Sequence, residues 1–177
     1  EDLFTFKDFP VSLSCVDPDC EISKKLDMKF QICNKTGIIQ IKDAPSLDDI
    51  YITPHNSSYG KVWHNLFERF AQKINNLFNN SFNILEIGGG SLLLASLILN
   101  NINIKKYTAY EKNIVFSHTK DERVNIKDEY FLKDTIIDEE YDVYIHSHVL
   151  EHVWNPVEFL EAISHNMTVG SYHCFIV

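Results

Sequence analysis

No apolar run in this chain approaches the ~20 residues needed to cross a bilayer. The longest, such as Ile84–Ile87 and Leu92–Leu99, stop far short, so no membrane partner is expected. Cations are scarce: Lys and Arg total 16 against 25 Asp and Glu, a net charge of -9. Binding to a phosphate backbone needs clustered cations, so a nucleic-acid partner is set aside. Four cysteines (Cys15, Cys20, Cys33 and Cys174) in 177 residues are too few for a disulfide scaffold. They suit a reducing, cytoplasmic setting, and the opening Glu1-Asp2-Leu3 has nothing of a secretory signal. With 45% hydrophobic and 23% charged residues, wholesale disorder is excluded. The length suits one domain, or one domain with a small appendage.

What is scarce is also unevenly placed. Four of the five prolines (Pro10, Pro18, Pro45, Pro54) and three of the four cysteines fall within residues 1–56. Two β-like runs, Phe30–Cys33 and Ile38–Ile41, flank Asn34-Lys35-Thr36-Gly37, which suits a hairpin turn. Residues 1–56 are read as a small N-terminal module, and residues 57–177 as a second domain with its leading helix. That helix, expected over 57–79 with Ser57 or Ser58 as cap, places Val62, Trp63, Leu66, Phe67, Phe70, Ile74 and Leu77 at three- and four-residue spacing. Beyond it, strands are expected at 83–87, 107–110, 124–126, 141–147 and 172–177, and helices at 91–99, 114–118 and 157–166. Strands alternating with helices predict an α/β, Rossmann-like parallel sheet covered on both faces. A strand at the very end of the chain leads us to expect a domain cut off after its fifth strand.

The sharpest local feature is Ile84-Leu85-Glu86-Ile87-Gly88-Gly89-Gly90-Ser91-Leu92. An apolar strand runs into a glycine turn that admits a ligand close to the backbone. A following helix is expected to offer free N–H groups. The dinucleotide fingerprint needs a third glycine where Leu93 stands, and a phosphate-binding Walker loop needs a Lys that is absent. What remains is acidic-x-Gly-x-Gly. Here the chain resembles class I S-adenosylmethionine-dependent methyltransferases. The resemblance implies that Gly88, Gly89 and Gly90 wrap the methionine part of S-adenosylmethionine, with Glu86 near its amino end. Glu111, at the tip of the 107–110 strand, is placed to accept hydrogen bonds from ribose hydroxyls. Tyr130 or Phe131 is then a candidate to stack on adenine, with Asp128 accepting from its amino group.

The second signal is Tyr141–Pro156, which contains Leu150-Glu151-His152. It resembles the family's fourth-strand segment, and the resemblance implies that Ser147 lies at the cofactor. His148 and His152 are the catalytic candidates, because a neutral imidazole can take a proton from an acceptor. Glu151 reads as a structural pin of the loop. His148-x-x-Glu151-His152 also matches an inverted zinc-peptidase motif, which belongs on a long helix rather than at a strand–loop junction. Some related O-methyltransferases bind a divalent metal here through carboxylates, but this chain has His148 at that place and no metal is assigned.

The N-terminal module resembles the cysteine module of certain bacterial sugar methyltransferases through Cys15-x4-Cys20, Cys33 and Gly37-Ile38-Ile39-Gln40. Its cysteine set is incomplete, so free thiols are expected in place of zinc; His55 or Asp17 is the candidate to complete a zinc site. Tyr59 is the candidate lid over the cofactor. Together these resemblances imply methyl transfer from S-adenosylmethionine to an oxygen of a small-molecule acceptor, such as a sugar or nucleotide sugar, in carbohydrate biosynthesis. The alternatives are a deoxysugar C-methyltransferase, an NAD-dependent oxidoreductase opposed by Leu93, and a non-catalytic nucleotide-binding module. The oligomeric state is left open.

Overall fold

The computed structural model describes residues 1–11, 24–50, 60–112, 114 and 117–177. The chain divides into two compact units, Glu1–Ser57 and Ser58–Val177.

In the first unit, β1 (Asp2–Pro10), β2 (Lys25–Ile32) and β3 (Ile39–Ile41) form an antiparallel sheet in that order, followed by the single-turn α1 (Leu47–Ile50). The expected hairpin is present: Cys33 N–H donates to the Ile38 carbonyl at 2.9 Å and Gly37 N–H to the Cys33 carbonyl at 2.8 Å. β1 is absent from the sequence expectation, although its alternation is plain. Phe4 and Phe6 meet Phe30 across the sheet at ring distances of 4.9 and 6.0 Å. Lys7, the residue after Phe6, pairs with Asp27 at 2.5 Å. Side chains two apart share a face of a strand, which separates the aromatic set from the charged one. The thiol of Cys33 is held below its ordinary range by hydrogen bonding to Thr36. Cys15, Cys20, His55 and Asp17 lie outside the described residues, as do Tyr59, Ser57 and Ser58.

The second unit opens with α2 (Lys61–Asn75), then β4 (Phe82–Ile87), α3 (Leu93–Ile98), β5 (Ile104–Tyr110), β6 (Val124–Lys127) and β7 (Val143–Ser147). A 3-10 turn at Leu150–His152, α4 (Pro156–Asn166) and β8 (Tyr172–Ile176) complete it. The five strands pair in the order β6-β5-β4-β7-β8, and every pair is parallel. This is the Rossmann-like α/β sheet anticipated from the alternating pattern. Its central strands are buried on both sides, as a parallel sheet requires. Ile84, Tyr107, Val143 and Ile145 face α2 and α3, while Leu85, Ile87, Tyr110 and Tyr144 face α4. From β4 the chain winds outward to β5 and β6, then returns to place β7 on the other side of β4. The carboxyl ends of β4 and β7 therefore flank the crevice where the winding direction reverses, the usual ligand position in such sheets.

Three expectations are corrected. Ile114 and Ser117–Lys120 form no helix; Ser117, Thr119 and Asp121 instead bond one another and the adjoining backbone in tight turns. The helix after the glycines begins at Leu93, because Leu92 has a left-handed φ of 59° that the helical ladder cannot include. On α2, only Phe67, Phe70, Ala71 and Ile74 are buried, while Val62 is 81% exposed. The apolar spacing is helical throughout, but the sheet and α3 cover only its second half. α4 matches its expectation: Asn155 Oδ1 accepts from Glu158 N–H at 3.3 Å, and Pro156 occupies the first turn, where its missing N–H costs nothing. Among the described residues no helix is long and apolar enough to cross a membrane.

Candidate functional site

Four chain segments meet at the carboxyl edge of the sheet. The first is the loop Gly88–Leu92. It leaves β4 with Gly88 at φ +73° and Gly90 at φ +53°, a region that glycine enters without penalty. Gly88 N–H donates to the Tyr110 carbonyl at 2.8 Å, extending the β4–β5 ladder by one residue.

The second is Glu111, directly after β5. Its Oε2 accepts from Gly90 N–H at 2.7 Å, so the carboxylate and the glycine loop are already joined. Burial raises the Glu111 carboxyl above its ordinary value, and the Gly90 hydrogen bond opposes that rise.

Glu86 adjoins the same loop from inside the sheet. It is 2% exposed and sits beneath the loop, where a β-carbon on Gly89 would come within 3.0 Å of its Oε2. That oxygen accepts from the Tyr107 hydroxyl at 2.7 Å. Burial pushes the Glu86 carboxyl up to about 7, with Tyr107 pulling it down and the Glu111 charge pushing it further up. Glu86 braces the loop from below.

The third segment is Ser147–His152 after β7. Ser147 Oγ is buried without a hydrogen-bond partner, and so is Ser91 Oγ at the end of the glycine turn. His148 has a positive φ of 54°, unusual for a side chain of its size. Its Nδ1 lies 3.1 Å from Glu151 Oε1, and its Nε2 is buried without a partner. His152, in the 3-10 turn, is exposed. Glycine 88 is closely covered by this segment: a β-carbon there would stand 2.4 Å from Val149 Cγ2.

The fourth is the first half of α2. Trp63 meets the His148 ring edge-on at 4.3 Å, and Phe67 lies 6.4 Å from it. Neither contact is visible from sequence spacing, since 85 residues separate Trp63 from His148.

Beyond β6, Tyr130 is half-buried and Asp128 is paired with Lys112 at 3.4 Å. Phe131 is 7% exposed and packs edge-on against Tyr110 and Phe159. Phe131 is therefore a core residue and not a stacking platform. Among the described residues no three His, Cys, Asp or Glu side chains gather as metal ligands.

No protein-family model and no curated protein matches the sequence. Solved structures do share the fold. The complex between the Haloferax volcanii Trm112 methyltransferase activator and a methyltransferase aligns over 65% of this chain and 54% of that one, with 13% identity and a TM-score of 0.52. Coclaurine N-methyltransferase bound to N-methylheliamine and S-adenosylhomocysteine aligns over 70% and 37%, with 14% identity and a TM-score of 0.52. The N-methyltransferase NodS from Bradyrhizobium japonicum WM9, in complex with S-adenosylhomocysteine, aligns over 68% and 62%, with 12% identity and a TM-score of 0.51. This chain thus spans less than two thirds of the length of these neighbours. The shared architecture is the Rossmann-like fold of class I methyltransferases.

Proposed function

We propose that this chain binds S-adenosylmethionine at the carboxyl edge of its parallel sheet and takes part in methyl transfer to an oxygen of a small polar acceptor, such as a sugar or nucleotide sugar. The observation that supports the reading is the Glu111–Gly90 hydrogen bond, which joins a carboxylate at the tip of β5 to the glycine loop beside the switch point of the sheet.

The residues present fit that cofactor. A carboxylate offers about four lone-pair sites and Gly90 takes one, so Glu111 keeps capacity for ribose hydroxyls. The partnerless Ser91 and Ser147 hydroxyls supply polar groups that a polar ligand would satisfy. Gly88, Gly89 and Gly90 form the cradle, and Glu86 supports it from beneath through Tyr107. Tyr130 is the adenine-side candidate, and Tyr59 retains its proposed lid role. The bound sulfonium would supply an electrophilic methyl group. The chain's own contribution is to hold the reactants in line and to receive the acceptor's hydroxyl proton. His148 suits the second task better than His152, because its Nε2 has no competing hydrogen-bond partner. The sugar-type acceptor rests on the N-terminal resemblance.

Calorimetric titration of the purified protein with S-adenosylhomocysteine, with NAD as control, tests the reading. Binding of S-adenosylhomocysteine alone supports it. Binding of NAD alone, or of neither, overturns it.

A further inference from the structure

We propose that Glu151 is a positioning residue that holds His148 in the Nδ1–H tautomer and so makes Nε2 the proton-accepting atom; the catalytic use of that atom rests on the methyl-transfer reading above. Glu151 thereby acquires a chemical role in place of a purely structural one.

One backbone bond anchors His148 and two contacts hold its imidazole. The backbone N–H of His148 donates to the Ile176 carbonyl at 2.9 Å, which anchors it to β8. Trp63 meets the ring edge-on at 4.3 Å. The 3-10 turn Leu150–His152 carries Glu151 back toward the strand end, and its Oε1 lies 3.1 Å from Nδ1. The left-handed backbone at His148, with φ at 54°, is what turns the side chain into this corner. Backbone strain of this kind persists where surrounding contacts over-determine it, and it concentrates at working sites.

The chemistry follows from proton counting. A neutral imidazole carries one N–H, and an ionised carboxylate can only accept. A hydrogen bond to Glu151 therefore places the proton on Nδ1 and the lone pair on Nε2. The other neutral tautomer is worse. With the proton on Nε2, two acceptors would face each other across 3.1 Å while a buried N–H went unpaired. In methyl transfer, the acceptor O–H bond breaks as the oxygen–methyl bond forms. On the reading above, the proton would pass to Nε2 while the carbon–sulfur bond electrons would remain with the departing thioether, and Glu151 would stabilise the imidazolium.

The test is a long-range proton–nitrogen correlation spectrum of the ¹⁵N-labelled full chain at alkaline pH, with the His148 signals identified by their loss in His148→Gln. A pyrrole-type Nδ1 and a pyridine-type Nε2 are expected in the wild type. Glu151→Ala should exchange the two signatures, with the amide spectrum otherwise retained. Glu151 is exposed, so the variant should fold, and Glu151→Asp provides a second carboxylate at this position. In Glu151→Asp the Nδ1–H form should return at least in part. A wild-type Nε2–H signature, or a tautomer unchanged in Glu151→Ala, overturns the proposal. The spectrum needs neither cofactor nor acceptor. An Nδ1–H tautomer without any S-adenosylhomocysteine binding would therefore refute the methyl-transfer reading and leave the tautomer assignment standing.

Discussion

Gly88 and Val149 approach so closely that a β-carbon on the former would lie 2.4 Å from Cγ2 of the latter. One belongs to the loop after β4 and the other to the loop after β7, so this contact joins the two loops that flank the crevice. Gly88 is also at φ +73°, where any other residue is strained. Gly88→Ala should therefore cost about 2–4 kcal/mol of stability, from backbone strain and overpacking together. Adding Val149→Ala should recover the packing part and leave the backbone part. Urea unfolding of the single and double variants reads both, and equal losses in the two would refute the contact.

Glu111→Ala removes both the partner of Gly90 N–H and the proposed ribose acceptor. S-adenosylhomocysteine affinity should fall by at least about fivefold, corresponding to roughly 1 kcal/mol or more. Calorimetry measures it, and an unchanged affinity would show that the second-strand carboxylate does not meet the ligand.

Two buried groups act oppositely on stability across mildly acid pH. Glu86 keeps its proton in the folded state up to about 7, against an ordinary 4.5. Between those values the folded state binds more protons, so stability falls as pH rises. His146 is fully buried, stacked on Phe175 at 4.9 Å, with neither ring nitrogen hydrogen-bonded. Burial, and then the neighbouring His173, lower it from 6.5 to about 4. Between those values the unfolded state binds more protons, so stability falls as pH falls. Each effect is on the order of 3 kcal/mol at most, and they oppose each other from 4.5 to 6.5. Glu86→Gln should expose the acid loss, and His146→Phe should expose the decline toward neutral pH. Urea midpoints across this range check it; parallel profiles for the two variants would contradict the assignment.

His146→Phe should also raise stability at neutral pH. It removes two buried nitrogens that have no partner and keeps an aromatic ring among Phe159 and Phe175. A lower thermal midpoint at pH 7 would indicate that the nitrogens are satisfied after all.

Arg123 ties the end of α3 to the start of β5. Its guanidinium donates to the carbonyls of Leu99, Asn101 and Ile104 and is paired with Asp121 at 2.5 Å. Lysine lacks this planar fork, so Arg123→Lys should cost about 2 kcal/mol. Denaturant unfolding decides; a change below about 0.5 kcal/mol would mean that water replaces these bonds.

The sequence by itself determined the features that are local along the chain. Five strands, the glycine turn, the hairpin at Asn34–Gly37 and the start of α4 follow from short-range periodicity, turn chemistry and capping. Periodicity could not say where α2 stops being covered, because coverage depends on how far its neighbours reach; Val62 remains exposed and Phe67 does not. Nor could it separate Tyr130 from Phe131, since that depends on which aromatic packs against Tyr110 and Phe159. Only the tertiary structure put Glu86 on Tyr107, Glu111 on Gly90, Val149 over Gly88 and Trp63 against His148. Those pairs join segments distant in sequence, and their meeting is decided by strand order and by the packing of α2. The chemistry of the site lies in such pairs: a buried carboxylate or a partnerless imidazole nitrogen is defined by what surrounds it in space.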